Sequence, residues 1–179
     1  INTKENDATI GLSADGQKLF IFYGKTGGDI KYTERKGNTW TKPEPFSAIN
    51  SPNGHENSAS FSFDGRTVYF SSDNAEKVTN YGNHDIFMCQ LNEKGKWGKP
   101  INLGPTINTD KDEIGVFMHP DGQTLIFASN GHSSMGGYDI FKTTLQEDGT
   151  WSEPVNMGYP INTPGDETFL VMDGSSTHA

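Results

Sequence analysis

Four acidic residues recur at one place in a repeating sequence: Asp7, Glu56, Glu113 and Glu167. Each follows a turn that opens with Ile-Asn-Thr or Ile-Asn-Ser, at 1–3, 49–51, 107–109 and 161–163. Each then leads into an apolar run. Carboxylates brought to one rim from successive copies would form a ring of like charge. Such a ring raises its own pKa values unless a cation or a basic partner sits among the groups. The four acids are therefore candidates for a divalent-cation or partner site at a channel mouth. The same position has a structural use, in which each carboxylate caps the backbone of its own turn or of the next copy. The residue types fit both.

Other chemically able residues are less organised. The run Asp110-Lys111-Asp112-Glu113-Ile114-Gly115 is acidic enough for calcium. It puts Ile114 in the fifth place and has no flanking helices, against the EF-hand pattern. Five histidines (His55, His84, His119, His132, His178) show no metal-ligand spacing such as H-x-x-x-H. Gly131-His132-Ser133-Ser134-Met135 approaches the G-x-S-x-G nucleophile elbow but lacks its closing glycine. No catalytic or cofactor-binding residue is expected. The single Cys89 excludes an internal disulfide and is expected as a buried, inert thiol.

The elements that must position the acids repeat with them. Asp-Gly falls at Asp15-Gly16, Asp64-Gly65, Asp121-Gly122 and Asp173-Gly174, a spacing of 49, 57 and 52 residues. One tryptophan follows in each full copy: Trp40, Trp97 and Trp151. Each copy reads as four short β segments. The first spans 8–12, 58–63 or 114–118. Asp-Gly turns it into the most apolar segment, around Phe20, Tyr69 and Ile126. A Gly/Asn/Ser-rich loop leads to a third segment at Asp29-Ile30, Asp85-Ile86 and Asp139-Ile140, whose aspartates should bond turn N–H groups. The fourth carries the tryptophan and then Pro43, Pro100 or Pro154, which suits an outer edge. The tryptophans read as blade-packing anchors, one large ring at the same place in each copy.

No window shows sustained helical spacing, and Gly 21 with Pro 9 opposes long helices. Four antiparallel strands per unit of roughly fifty residues is the blade of a β-propeller. The expected fold is all-β, a partial propeller ring of about three and a third repeats: 1–48, 49–106, 107–160 and a short fourth at 161–179. Because propellers close with four to eight blades, the chain reads as a piece of a larger protein. Its net charge of −9 argues against nucleic acid as a partner. No apolar stretch is long enough to span a bilayer.

Three segments carry a resemblance: 119–130 (HPDGQTLIFASN), 135–141 (MGGYDIF) and 151–158 (WSEPVNMG), followed by 161–167 (INTPGDE). The repeat resembles the WD40-like β-propeller repeat of bacterial envelope proteins, the type also found in TolB. Gly-Gly-Tyr-Asp-Ile combined with Trp-x-x-Pro-x-Asn and Ile-Asn-Thr is similar to a narrower group. These are the propellers ahead of an OmpA-type peptidoglycan-binding domain in Bacteroidota, among them the PorE-like components of the type IX secretion system. Unit one departs most, with Thr26-Gly27-Gly28-Asp29, Tyr23-Gly24 and Glu44-Pro45-Phe46 in place of the pattern. The resemblance implies a non-catalytic, protein-binding scaffold in the periplasm or at the outer membrane. Its partners would be other envelope proteins, with peptidoglycan held by a domain beyond this chain. The alternatives are the accessory propeller of a serine peptidase and a carbohydrate-binding propeller.

Overall fold

The computed structural model describes residues 4, 7–13, 15–24, 28–73 and 80–172. The first Ile-Asn-Thr, Ala14, Thr26, Gly27, the fourth Asp-Gly and His178 lie outside them. Among the described residues there are thirteen strands and no α-helix. They form three antiparallel sheets in strict chain order. Blade I contains β1 (Asp7–Leu12), β2 (Lys18–Tyr23) and β3 (Asp29–Lys36), with β4 (Thr39–Trp40) and β5 (Glu44–Pro45) both on β3. Blade II contains β6 (Glu56–Phe61), β7 (Thr67–Ser72), β8 (Asp85–Gln90) and β9 (Ile101–Asn102). Blade III contains β10 (Glu113–Met118), β11 (Thr124–Ser129), β12 (Asp139–Thr144) and β13 (Val155–Asn156).

The Asp-Gly pairs make the turns between first and second strands. Gly16, Gly65 and Gly122 have φ of 66°, 67° and 72°, where a Cβ is disfavoured. The aspartate locks each turn: Asp15 and Asp64 accept a serine hydroxyl (Ser13, Ser62) and the N–H two residues on. Phe63, expected at the end of a strand, belongs to this turn and is 64% exposed. The fourth strand is also placed differently. In blades II and III the tryptophan makes only an isolated bridge, Leu91 to Trp97 and Leu145 to Trp151, and the strand begins after the proline. Proline has no N–H for the ladder, so pairing resumes one residue later. Blade I keeps a short strand at Trp40, and Pro45 enters β5 only as an outermost residue.

The cores lie between blades. Phe20, Ala59, Val68 and Phe70 pack with Phe46 and Phe61 between blades I and II. Tyr69, Ile86, Val116, Leu125 and Phe127 do so between blades II and III. Each valine, leucine, isoleucine or phenylalanine among them removed from water contributes about 1.5–3 kcal/mol. The first strands stand side by side and are pinned by hydroxyls. Ser58 and Ser60 accept the backbone N–H groups of Val116 and Met118 at 3.1 and 3.0 Å. The Ser71 hydroxyl donates to the Glu113 carbonyl at 2.9 Å.

The tryptophans anchor these interfaces. Trp97 meets Phe46 edge-on at 5.5 Å and lies 6.2 Å from Phe61. Trp151 meets Tyr69 edge-on at 6.1 Å. Trp97 thus bridges Phe46, which follows β5, and Phe61 of its own blade, while Trp151 packs on the blade preceding its own. Trp40 belongs to the first blade and is 37% exposed. Beyond blade III, residues 168–172 run alongside β10. Leu170 and Met172 turn in and Phe169 and Val171 turn out, the period of a strand. Gly115 (φ 60°) permits that approach, because a Cβ there would lie 2.0 Å from the Thr168 carbonyl oxygen.

Candidate functional site

The recurring acids open the first strands: Asp7 begins β1, Glu56 begins β6 and Glu113 begins β10. Glu167 occupies the same place before residues 168–172. Its N–H bonds the Tyr138 carbonyl at 2.8 Å, as those of Glu113 and Glu56 bond the His84 and Gly28 carbonyls. The fourth acid is therefore in register, although it lies six residues before the next Asp-Gly where the other three lie eight.

The carboxylates turn onto their own turns. Glu113 is fully buried. One of its oxygens accepts the Thr109 N–H at 2.9 Å, and the other accepts the hydroxyls of Thr109 and Ser129 at 2.8 and 2.7 Å. Glu167 accepts the Thr163 N–H at 2.9 Å and the Thr163 hydroxyl. Burial raises the Glu113 pKa, and these donors oppose the rise. Glu56 is equally buried but poorly served. Ser72 donates to Oε1 at 2.8 Å, while Oε2 has no hydrogen-bond partner. The Ser51 hydroxyl is also buried and unpartnered. The cause is in the sequence: Ser51 precedes Glu56 by five residues, where Thr109 and Thr163 precede their glutamates by four. One extra residue takes the Ser51 hydroxyl out of reach, and of this turn only the Ser51 backbone still favours the carboxylate. Burial pushes the Glu56 carboxyl up to about 7; the Ser72 hydroxyl offsets part of the rise and the nearby Asp29 adds to it. Asp7 is half-buried opposite Tyr23, where the other two blades have Ser72 and Ser129.

Among the described residues, no three His, Cys, Asp or Glu side chains are grouped to hold a metal ion. The acidic loop at 110–115 joins blades. Asp112 accepts the His84 N–H at 3.1 Å and the Tyr138 hydroxyl at 3.0 Å. Burial, followed by that bond to Asp112, pushes the Tyr138 phenol up to about 12. His55 pairs with Asp73 at 2.7 Å on the surface. His132 lies against Phe127 and Phe141. Cys89 is fully buried, and burial pushes its thiol up to about 12.

In blades II and III the third-strand aspartates cap the loop before them. Asp85 accepts the N–H groups of Tyr81 and Gly82 at 2.7 and 3.0 Å, and Asp139 accepts that of Met135. Sequence reasoning missed the asparagines. The asparagine of Ile-Asn-Thr imitates a strand residue. Asn108 accepts the Ile86 N–H at 2.7 Å and donates to the Ile86 carbonyl at 3.0 Å. Asn162 does the same with Ile140, and Asn50 with Ile30. Thus the residues that open each sequence copy close the blade before it. In blades II and III a second asparagine completes the network. Asn102 donates to Asp85 and accepts from Asn108, at 2.7 and 2.8 Å. Asn156 links Asp139 and Asn162 at 2.7 Å each. Pro45 stands at that place in blade I. The available signal was the separation of 20, 22 and 22 residues between the third-strand isoleucine and the asparagine.

No protein-family model matches the chain, and no curated protein matches it. Solved structures do. TolB from Acinetobacter baumannii superposes with a TM-score of 0.53 at 17% identity, over 86% of this chain and 33% of that one. A TolB-type protein from Agrobacterium tumefaciens gives 0.54 at 15% identity, over 93% and 56%. Puromycin hydrolase gives 0.50 at 13% identity, over 87% and 24%. The chain spans about a third and just over half of the two TolB-type structures. At these identities the likeness concerns the fold, and the fold is a TolB-like β-propeller.

Proposed function

We propose that the chain is a non-catalytic, protein-binding propeller scaffold of the bacterial envelope, belonging to the OmpA-family propellers of Bacteroidota and acting in the periplasm, with type IX secretion as its setting. The observation that carries this reading is the internal use of the repeated polar residues. Glu113 and Glu167, Asp85 and Asp139, and Asn50, Asn108 and Asn162 are bonded to backbone groups. They build the blades and leave the variable loops and turns to meet other molecules. Exposed apolar side chains at these places, Phe63 (64%) and Tyr159 (82%), are the contact positions expected on such a scaffold.

The test places a photo-crosslinking residue at Phe63 or Tyr159 of the chain exported to the periplasm of a Bacteroidota cell. Discrete adducts with envelope proteins are expected, together with no turnover of chromogenic peptide or glycoside substrates by the purified chain. Turnover abolished by a single loop substitution would overturn the reading in favour of an enzyme or its accessory propeller.

A further inference from the structure

We propose that the slot beside Trp97, at the junction of blades I and II, together with the lysine turn of blade II, is a docking surface for an acidic polypeptide segment carrying one apolar anchor residue. The inference rests on the scaffold reading and names the chemistry of a partner.

The turn before Trp97 shows which residues the architecture needs. Blades II and III give it the same backbone bonds. The Asn92 N–H bonds the Lys96 carbonyl as the Gln146 N–H bonds that of Thr150. The N–H groups of Gly95 and Gly98 reach the Asn92 and Gln90 carbonyls, as those of Gly149 and Ser152 reach Gln146 and Thr144. The charges are opposite. Residues 92–100 carry Lys94, Lys96 and Lys99 against Glu93, while 146–154 carry Glu147, Asp148 and Glu153 and no cation. Lys94, Lys96 and Lys99 stand where blade III has Asp148, Thr150 and Glu153. The turn therefore folds without the lysines. All three are exposed. The ion pairs among the described residues are made by Lys18 and three histidines, not by these lysines. Three unpaired cations within six residues, in a chain of net charge −9, are complementary to an acidic ligand.

Next to the turn is a slot of about 170 Å³, lined by Lys18, Tyr32, Phe46, Phe61 and Trp97. Its rings hold one another. Tyr32 and Trp97 each meet Phe46 edge-on at 5.5 Å, and Trp97 lies 6.2 Å from Phe61. Ser47, Ala48 and Trp97 form a wall shared with the groove that Lys96 and Lys99 line. The slot is smaller than the roughly 300–1,000 Å³ of small-molecule sites. It suits one apolar side chain delivered by a longer ligand. Glu44 and Glu34 act on Tyr32 from its own side, which directs the ligand's carboxylates toward the lysines. The slot lies at the Asp-Gly end of the strands, where Lys18 opens β2 and Phe61 closes β6. The segments 25–27 and 74–79, outside the described residues, follow the other ends of β2 and β7, which are about 17 Å away along six-residue strands.

The test is fluorescence polarisation of a labelled heptapeptide, EDELEDE, at about 20 mM salt, where exposed charges are weakly screened. The comparisons are EDESEDE and vesicles of phosphatidylglycerol. EDELEDE should bind saturably, and EDESEDE at least about tenfold more weakly, because the slot loses its apolar occupant. The triple variant Lys94→Asp, Lys96→Thr, Lys99→Glu transplants the blade III residues. It should bind EDELEDE at least about tenfold more weakly, with an unchanged unfolding midpoint. No saturable binding of EDELEDE, equal affinity for EDESEDE, or equal affinity in the triple variant overturns the proposal. Binding to the vesicles and not to the peptide overturns it in favour of an anionic membrane surface. Should the triple variant fail to fold, EDELEDE against EDESEDE on the unmodified chain decides alone. Crosslinking at Tyr159 tests the scaffold reading separately. Adducts there without peptide binding keep that reading and remove this site, and peptide binding without adducts keeps this site and removes that reading.

Discussion

Replacing Glu56 by glutamine should stabilise the protein at alkaline pH, although the residue is buried and repeated. The carboxyl is raised from 4.5 to about 7, chiefly by burial. A raised folded-state pKa means that the protonated form fits the site better. The contribution is therefore intact below the unfolded value and is lost as pH rises through the folded value. One pKa unit corresponds to about 1.4 kcal/mol, so roughly 3 kcal/mol of stability should disappear between about pH 4 and pH 8. Glutamine is neutral throughout, and its amide oxygen can retain the Ser72 bond. Urea unfolding followed by tryptophan fluorescence at pH 5, 6, 7 and 8 should show Glu56→Gln gaining on the unmodified protein as pH rises. Glu113→Gln provides the contrast: burial raises this carboxyl too, but the lost donors should outweigh the gain from removing its charge. The Glu113 carboxylate accepts three protein donors, and an amide N–H₂ facing the Thr109 N–H leaves one of them buried and unmet. It should lose about 2 kcal/mol at pH 8. If the gap between Glu56→Gln and the unmodified protein does not change with pH, or if both substitutions act alike at pH 8, the assignment of Glu56 as an ill-served buried acid is refuted.

The tryptophans should separate in the same assay. Trp97→Ala removes a ring lodged between Phe46 and Phe61 and should lower stability by about 3 kcal/mol, whereas the exposed Trp40 should lose less than about 1 kcal/mol on the same change; similar losses at both sites would contradict the lodging of Trp97 between those rings. Asn108→Ala unmakes the pairing with Ile86 and should destabilise by about 3 kcal/mol, with amide hydrogen exchange at Ile86 accelerated before that of Ile140; uniform exchange across both blades would show that the asparagine does not act on its own blade.

The blade, its order of strands and its Asp-Gly turns were legible in the sequence because they depend on local chemistry. A glycine at positive φ and an apolar run beside it say the same thing in every copy. The glutamates and asparagines were harder to read, because their partners are decided by groups far along the chain. Asn108 and Ile86 are 22 residues apart, and nothing local marks the pair. The aspartates of the third segment fell between these cases, since the N–H groups they cap lie only three or four residues away.

Repetition makes the positions legible and hides the differences between them. Identical letters imply identical positions, and Asp7, Glu56, Glu113 and Glu167 do hold identical positions. Identical positions do not imply identical energetics, because a buried charge depends on whether each neighbouring donor reaches it. The insertion between Ser51 and Glu56 leaves the strand register unchanged, with Glu56 facing Ser72 as Glu113 faces Ser129. It removes a hydrogen bond and leaves two polar atoms unmet. A comparison of spacing from cap to acid, five residues against four, separates Glu56, which can still respond to pH, from Glu113 and Glu167, which their own turn threonines hold. In a repeat protein the unequal turn, more than the recurring residue, is therefore where function has room to differ from architecture.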